Sequence, residues 1–404
     1  MAEVQGECHP DFEAVATLLG EQSDAAGFGG GALAVYHHGE KVVDLWAGSR
    51  DANGTPWSRD TVAVSASTTK GVLATAVAMC VDRELLDYEA PVATWWPEFA
   101  AHGKDEILLR HVMCHEAGLF GLRHLVADAS ELVDWDHMVS VLAAATPVHP
   151  AGAANGYHGL SIAWLAGEPV RRATGDTIGA FVRDEIAGPL GLDGLYIGLP
   201  DAEMGRLADP VAPDGGSPLE QMTPPDGEYP EWDPASRDPF PLVWRPQNAI
   251  DAIVIPGLFD NSSIDSFRDR ARAEIPSATG CFTARSLARV YAALANGGEI
   301  DGTRICSSAT VHHATTQQND RPDLVLGLPA CWRLGWHLAY TSNEIMGQGF
   351  GHQGYGGSGA WADPTRQLAM AYTTNRVGTS TALGDQRLPQ LGGAVSAAAN
   401  ARVG

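Results

Sequence analysis

In the stretch VSASTTKGVLATAVAMC, which runs from Val64 to Cys80, a serine (Ser67) stands three residues before a lysine (Lys70). Residues three apart on a helix share a face. A hydroxyl on the first turn faces the amide groups exposed there, where developing negative charge is favoured. A lysine one turn later can reach that hydroxyl, and burial or a neighbouring cation can lower its pKa until it acts as a base. Ser67 and Lys70 therefore have the chemistry of a nucleophile and its proton acceptor. The same spacing also suits a helix cap followed by a solvated lysine. Lysine is scarce in this chain: only Lys41, Lys70 and Lys104 occur among 26 basic residues, and only Lys70 has a serine three residues ahead of it.

The surrounding elements must place this pair. GGALAVYHHGEKVVDLWAGSR reads as a hairpin, two β-rich runs around the turn-like HHGEK. A short extended run, TVAVSA, leads to Ser67, and from Thr68 the period becomes helical, with Val72, Leu73, Ala76, Met79 and Cys80 on one face. Residues 84–195 read as mostly helical. EILLRHVMCHEAGL is expected to end at Gly118, LSIAWLAGEPVRRATG at Gly175, and IGAFVRDEIAGPLGL at Gly188-Pro189. Residues 200–256 hold 12 of the 25 prolines, with 11 acidic and 3 basic residues. Such a stretch resists regular structure and reads as an irregular cover or a lid. Beyond it, TARSLARVYAALANGG is an amphipathic helix, RLGWHLAY a strand, and GSGAWADPTRQLAMAYTTNR a hairpin turning at Asp363-Pro364. Strands at both ends of the chain, with helices between them, imply one sheet built from both ends.

Bulk properties narrow the function. A chain of 404 residues implies two domains, or one with a large insertion. The net charge of −23 repels phosphate backbones and anionic membrane surfaces, so neither nucleic acid nor a membrane is an expected partner. The cysteines at 8, 80, 114, 281, 306 and 331 form no C-x-x-C pair and read as reduced thiols. The opening MAEVQGECHP has neither the basic nor the apolar region of a signal peptide, and the apolar run from Val72 to Val81 is too short to span a bilayer. The expectation is a soluble, cytoplasmic protein, its oligomeric state left open.

SASTTKGVLATAVAMCVDRELLDYEAPVATWWPEF resembles the nucleophile helix of the serine β-lactamase-like, penicillin-recognising superfamily, and LLRHVMCHEAGL the helix and turn that follow it. GYHGLSIAWLAGEPVRRATGDTIGAFVRDEIAGPLGLDGLYIGLP, ATGCFTARSLARVYAALANGG and FGHQGYGGSGAWADP are similar to its family VIII carboxylesterase branch. The likeness covers nearly the whole chain except about 200–260. It implies a β-lactamase-like fold of mixed α/β (α+β) class, an antiparallel sheet flanked by helices plus an inserted mostly helical domain. Residues 1–66 and 270–404 would form the sheet domain and 67–269 the helical one, including the proline-rich, acidic segment 200–256. Tyr157, which opens YHG, would share proton transfer with Lys70, given positive charge to lower its pKa. HQG at 352–354 stands where the family usually has Lys-Thr-Gly on an edge strand. His352, Gln353 and Gly354 would face the substrate, with His352 supplying a donor or partial positive charge. The backbone amides of Ser67 and Tyr355 would form the oxyanion hole. Two departures count against penicillin-type substrates: Gly159 replaces the asparagine usual in β-lactam-processing members, and His352 replaces the lysine.

Other signals carry less. His111, Cys114, His115 and Glu116 cluster in sequence, but HEAGL lacks the second histidine of H-E-x-x-H. GGSGA at 356–360 misses the last glycine of G-x-S-x-G and lies in a hairpin. No cofactor and no metal is implied. The expected activity is a serine carboxylesterase acting on small acyl esters, its partner a small-molecule ester. Trp232 and Trp244, in the proline-rich segment, would shape the acyl or alcohol pocket. An amidase, D-amino-acid peptidase or β-lactamase on the same site is the nearer alternative. A catalytically silent binding or sensor protein is the farther one.

Overall fold

The computed structural model describes residues 3–211, 246–258, 264–377 and 385–403. Trp232 and Trp244 lie outside the described residues, as does most of the proline-rich segment.

The main sheet has seven strands. Three come early, β1 (Val4–Cys8), β2 (Gly30–His37) and β3 (Glu40–Gly48). Two small pieces follow, β4 (Ala63–Val64) and β5 (Leu195–Ile197), which pair with β6 (Gly280–Phe282) in a separate three-stranded sheet. β7 (Glu299–Ile300) and β8 (Thr303–Arg304) make a short hairpin. The late strands β9 (His337–Tyr340), β10 (Ile345–Gln353), β11 (Gly359–Asp363) and β12 (Leu368–Thr374) complete the main sheet. Its order is β1-β3-β2-β12-β11-β10-β9, with every pairing antiparallel. The two ends of the chain meet where β2 lies against β12, from Leu368 opposite His37 to Thr374 opposite Gly31.

The helices in chain order are α1 (Glu13–Ala26), α2 (Thr69–Asp82), α3 (Leu109–Met113), α4 (Trp135–Ala144), α5 (Ile162–Thr174) and α6 (Ile178–Phe181). After them come α7 (Pro246–Ile253), α8 (Ile264–Arg272), α9 (Ala284–Ala295), α10 (Ser308–Thr315) and α11 (Arg387–Val403). Side chains alternate across β2 with the period of a strand. Leu33 and Val35 join Val15 and Leu19 of α1 and Leu391 and Val395 of α11 in one cluster. Ala32, Ala34 and Tyr36 face the other way, toward Leu287 and Tyr291 of α9, where small side chains let the helix come close.

Several elements differ from expectation. α2 is buried from Thr69 through Cys80 without a break, so the single apolar face read from the sequence is too narrow. The helix expected to reach Gly118 stops at Met113. Residues 84–195 contain short 3-10 turns and loops between α3, α4, α5 and α6 more than long helix. β1 had no clear sequence signal, being short and mostly solvent-facing. β10 is a nine-residue strand, IMGQGFGHQ, that the sequence pattern did not mark, because glycine lowers the strand propensity that pairing on both sides overrides. β10 is the second strand from the edge, but β9 pairs with it only as far as Gly351, opposite His337, and stops short of HQG.

Candidate active site

Ser67 sits in a 3-10 turn, Ala66–Thr68, between β4 and α2. Ala66 takes a φ of 44°, the strained left-handed region, and so turns the chain sharply at the serine. Four hydrogen bonds hold the turn. The Ser65 amide donates to Gly280 O at 2.9 Å. Thr69 Oγ1 donates to Ala66 O at 2.6 Å and accepts from the Gly280 amide at 2.9 Å. Thr68 Oγ1 donates to Ser358 O at 3.0 Å, tying the turn to the β10–β11 connection. Gly354 makes this approach possible: a Cβ there would lie 2.2 Å from Ser65 O.

The three lysines have three environments. Lys41 pairs with Asp44 at 2.6 Å near the surface. Lys104 is buried, and its ammonium donates to three carbonyls, Ala101, Ala143 and Ala145. Three accepting carbonyls use all three protons of an ammonium. Lys70 is also buried, 1 % exposed, but only two carbonyls meet it: Gly159 O at 2.7 Å and Ser277 O at 2.9 Å. Its third direction points to Ser67 Oγ at 3.0 Å. Burial holds the Lys70 pKa well below the ordinary lysine value. In its neutral form the nitrogen still has two protons for the two carbonyls, and its lone pair then faces the serine hydroxyl.

Tyr157 completes the group, its ring centroid 5.0 Å from Lys70 Nζ. Burial pushes its pKa above the usual phenol value, opposed by a hydrogen bond with Ser67 and reinforced by the charge of Asp323. The phenol is therefore neutral, and the positive charge expected to lower its pKa does not do so. Asp323, missed in the sequence, fixes this tyrosine. Its buried carboxylate accepts from the amides of Tyr157 (3.1 Å), Val325 (2.8 Å) and Leu326 (3.0 Å) and from Trp332 Nε1 (3.0 Å). Trp332 stacks on Tyr157, with centroids 5.6 Å apart and planes inclined by 7°.

Histidines surround this pair, and their partners fix the tautomers. His337 Nδ1 faces Leu338 O at 2.9 Å while its Nε2 accepts from the Gln353 amide at 3.1 Å, so Nδ1 carries the proton. His158 Nε2 accepts from the Leu119 amide at 3.1 Å, and its Nδ1 meets His115 Nδ1 at 3.2 Å. Burial depresses the pKa of His337 to about 4 and of His158 to about 3. His352 likewise faces a carbonyl with Nδ1, Gln353 O at 2.8 Å, and burial, His337 and Lys70 hold its pKa well below the ordinary value. Its Nε2 thus presents a lone pair, without a partner among the described residues. The expected donor or partial positive charge at His352 is instead a neutral acceptor, because a carbonyl has taken its only proton.

A cleft of about 1170 Å³ opens beside Ser67, which is half-buried. Tyr157, Gly159, His352, Gln353 and Tyr355 line it too. Gly354 supports the turn from behind, as described. His111 is occupied elsewhere, its Nδ1 accepting from the Leu108 amide, and Glu116 pairs with Arg321. Among the described residues no group of three or more His, Cys, Asp or Glu could hold a metal ion.

A family model described as Beta-lactamase matches residues 15–392. The chain belongs to the beta-lactamase family. The Esterase/beta-lactamase LipL of Mycobacterium tuberculosis is 39% identical over 377 residues, which are 93% of this chain and 83% of LipL. A solved penicillin-binding protein homologue from Caulobacter crescentus superposes with a TM-score of 0.84 at 35% identity, covering 98% of this chain and 100% of its own. A family VIII carboxylesterase gives a TM-score of 0.84 at 34% identity, with 98% and 100% covered. This beta-lactamase-family chain is a serine hydrolase with the antiparallel sheet and flanking helices of the fold.

Its first departure from the family pattern has a structural cause. A Cβ at Gly159 would lie 2.9 Å from Ile253 Cγ1 and 3.0 Å from Ala252 O. The last turn of α7 occupies the space that an asparagine side chain would need. Ser277, whose carbonyl helps to hold Lys70, was also missed, since a backbone contact leaves no side-chain signature.

Proposed function

We propose that the chain is a serine carboxylesterase acting on small acyl esters, with Ser67 as nucleophile, Lys70 as base and Tyr157 as the relay for the proton. The observation that carries this reading is the Lys70 nitrogen, buried, satisfied by two carbonyls and aimed by its third direction at Ser67 Oγ. As Oγ attacks the ester carbonyl, its proton passes to Lys70. The backbone amides of Ser67 and Tyr355 hold the oxyanion. The proton returns through the Tyr157 hydroxyl to the leaving alkoxide, and the acyl group stays on Ser67. Water then adds to the acyl-enzyme, gives its proton to the same base, and the carboxylic acid leaves as Ser67 regains a hydrogen. His352, with Gln353 beside it, borders the bound ester.

Two features favour neutral esters over β-lactams. α7 excludes a side chain at 159, so no amide there can meet an acylamino group. His352 is neutral, so it lacks the positive charge that would hold a substrate carboxylate. The β-lactam reading keeps one support, since LipL carries both activities in its name. Among the described residues no helix is long and apolar enough to cross a membrane, and six free thiols suit a reducing, cytoplasmic compartment.

The test is covalent labelling. A fluorophosphonate probe should modify Ser67, and Ser67→Ala should lose both labelling and p-nitrophenyl butyrate hydrolysis. An adduct mapped to another serine ends the assignment. Nitrocefin turnover with kcat/KM at or above that for p-nitrophenyl butyrate transfers the reading to β-lactams.

A further inference from the structure

We infer, resting on the esterase reading above, that the alcohol half of the substrate is large and apolar and seats on a ledge of Leu326, Leu328, Trp332, Leu338, Tyr340 and Ile345. At about 1170 Å³ the cleft exceeds the roughly 300–1,000 Å³ usual for small-molecule sites. Six large hydrophobic side chains are exposed among the described residues, and four of them, Leu326, Leu328, Tyr340 and Ile345, line this cleft. Leu328 is 59% exposed and Ile345 73%. Scattered exposed leucines are ordinary, but apolar groups gathered at one cavity mark a ligand surface.

The chemistry says which half of the ester lies there. The proton goes back to the leaving alkoxide, so the alcohol oxygen must sit against the Tyr157 hydroxyl. Trp332 stacks on that tyrosine and lines the same cleft as the other ledge residues. Leu326 and Leu328 belong to the segment that Asp323 anchors to the Tyr157 backbone. Leu338 and Tyr340 lie on β9, and Ile345 pairs directly with Tyr340 across the sheet edge. The acyl half then faces the other wall, where α8 brings Phe267 and Ala271 beside Ala278.

Two ester series test this with the whole protein. In the first, acetate esters of ethanol, butanol, hexanol and octanol vary the alcohol. In the second, p-nitrophenyl esters vary the acyl chain. A fully buried methylene contributes about fourfold to binding, so the octyl to ethyl ratio in kcat/KM should reach at least about fiftyfold with partial burial. In Leu328→Ser/Ile345→Ser that ratio should fall by about tenfold or more, while the acyl series keeps its slope. Both residues are solvent-facing, so folding is not at stake. A flat alcohol series, or a ratio unchanged in the double variant, overturns the ledge. Ser67→Ala is assayed alongside: if it still cleaves octyl acetate, the esterase reading falls and the ledge with it. If it is inactive and the alcohol series is flat, the ledge alone falls.

Discussion

Lys70 and Lys104 are both buried, and burial lowers the pKa of both, that of Lys104 to about 8. What separates them is the count of carbonyls, three against two. A third carbonyl rewards the charged ammonium, whereas a hydroxyl in its place accepts either form and can give up its own proton. This difference sets a pH profile. Lys70 must be neutral to act as a base, so kcat/KM should rise with pH through a pKa well below the ordinary lysine value and then level off. No alkaline fall is expected up to about pH 10, because Tyr157 is held above the usual phenol pKa. His337, depressed to about 4, does not contribute to a limb above pH 5. Lys70→Arg should lose about 10²–10⁴-fold in kcat, since arginine stays protonated. A pH–rate profile of the wild type with an esterase assay of the variant checks both; an arginine variant with more than a tenth of the activity makes Lys70 an electrostatic residue. The Ser67–Lys70 pair was legible because i, i+3 spacing is local. The sense of His352 was not, because its tautomer depends on the Gln353 carbonyl, which sequence does not place.

At the scale of elements, the site depends on the loop that Asp323 organises. One carboxylate accepts three backbone amides and an indole, joining the Tyr157 turn to the segment that carries Trp332. Asp323→Asn keeps the volume but turns one accepting oxygen into a donor that must face N–H groups. An unsatisfied buried polar group costs about 1–3 kcal/mol, so the melting temperature should drop. Because the misplaced group is the Tyr157 backbone, kcat should fall as well, by about tenfold or more, with KM changing less. Calorimetry and steady-state kinetics on the variant test this, and unchanged kcat would remove Asp323 from the positioning of the site. Sequence patterns found the hairpins β2–β3 and β11–β12 because alternation and turn residues are local signals. They did not mark β10, whose glycines suit close packing rather than strand propensity: a Cβ at Gly351 would lie 2.3 Å from Ala360 O. Asp323 was invisible for a related reason: its partner Tyr157 is 166 residues away.

Across the whole molecule, the sheet joins the chain's two ends at β2 and β12, and it buries histidines on both sides of the site and beyond it. Burial lowers the pKa of His37, His111 and His337 to about 4 and of His158 to about 3. In the unfolded chain a histidine titrates near pH 6.5. Below that pH the unfolded state binds protons that the folded state refuses, so stability is full above about 6.5 and is lost as pH falls toward 4. Each unit of separation is worth about 1.4 kcal/mol per group, and several groups acting together make the fall steep. The net charge of −23 works the other way, as protonating carboxylates relieves repulsion, but that relief begins only near their own pKa values. The melting temperature should therefore hold level from pH 8 to 7 and fall sharply between 6.5 and 5. His37 isolates one proton of this effect. It is fully buried on β2, neither ring nitrogen has a partner among the described residues, and its ring lies 4.2 Å from that of His38. His38, Arg402 and Arg366 oppose its protonation, and Glu40 favours it by less than His38 or Arg402 each opposes it. His37→Leu keeps an apolar side chain in the site and removes the titrating group. Its melting temperature should decline less steeply than the wild type's between pH 6.5 and 4.5, and parallel curves for the two proteins would show that His37 takes no part in the acid transition.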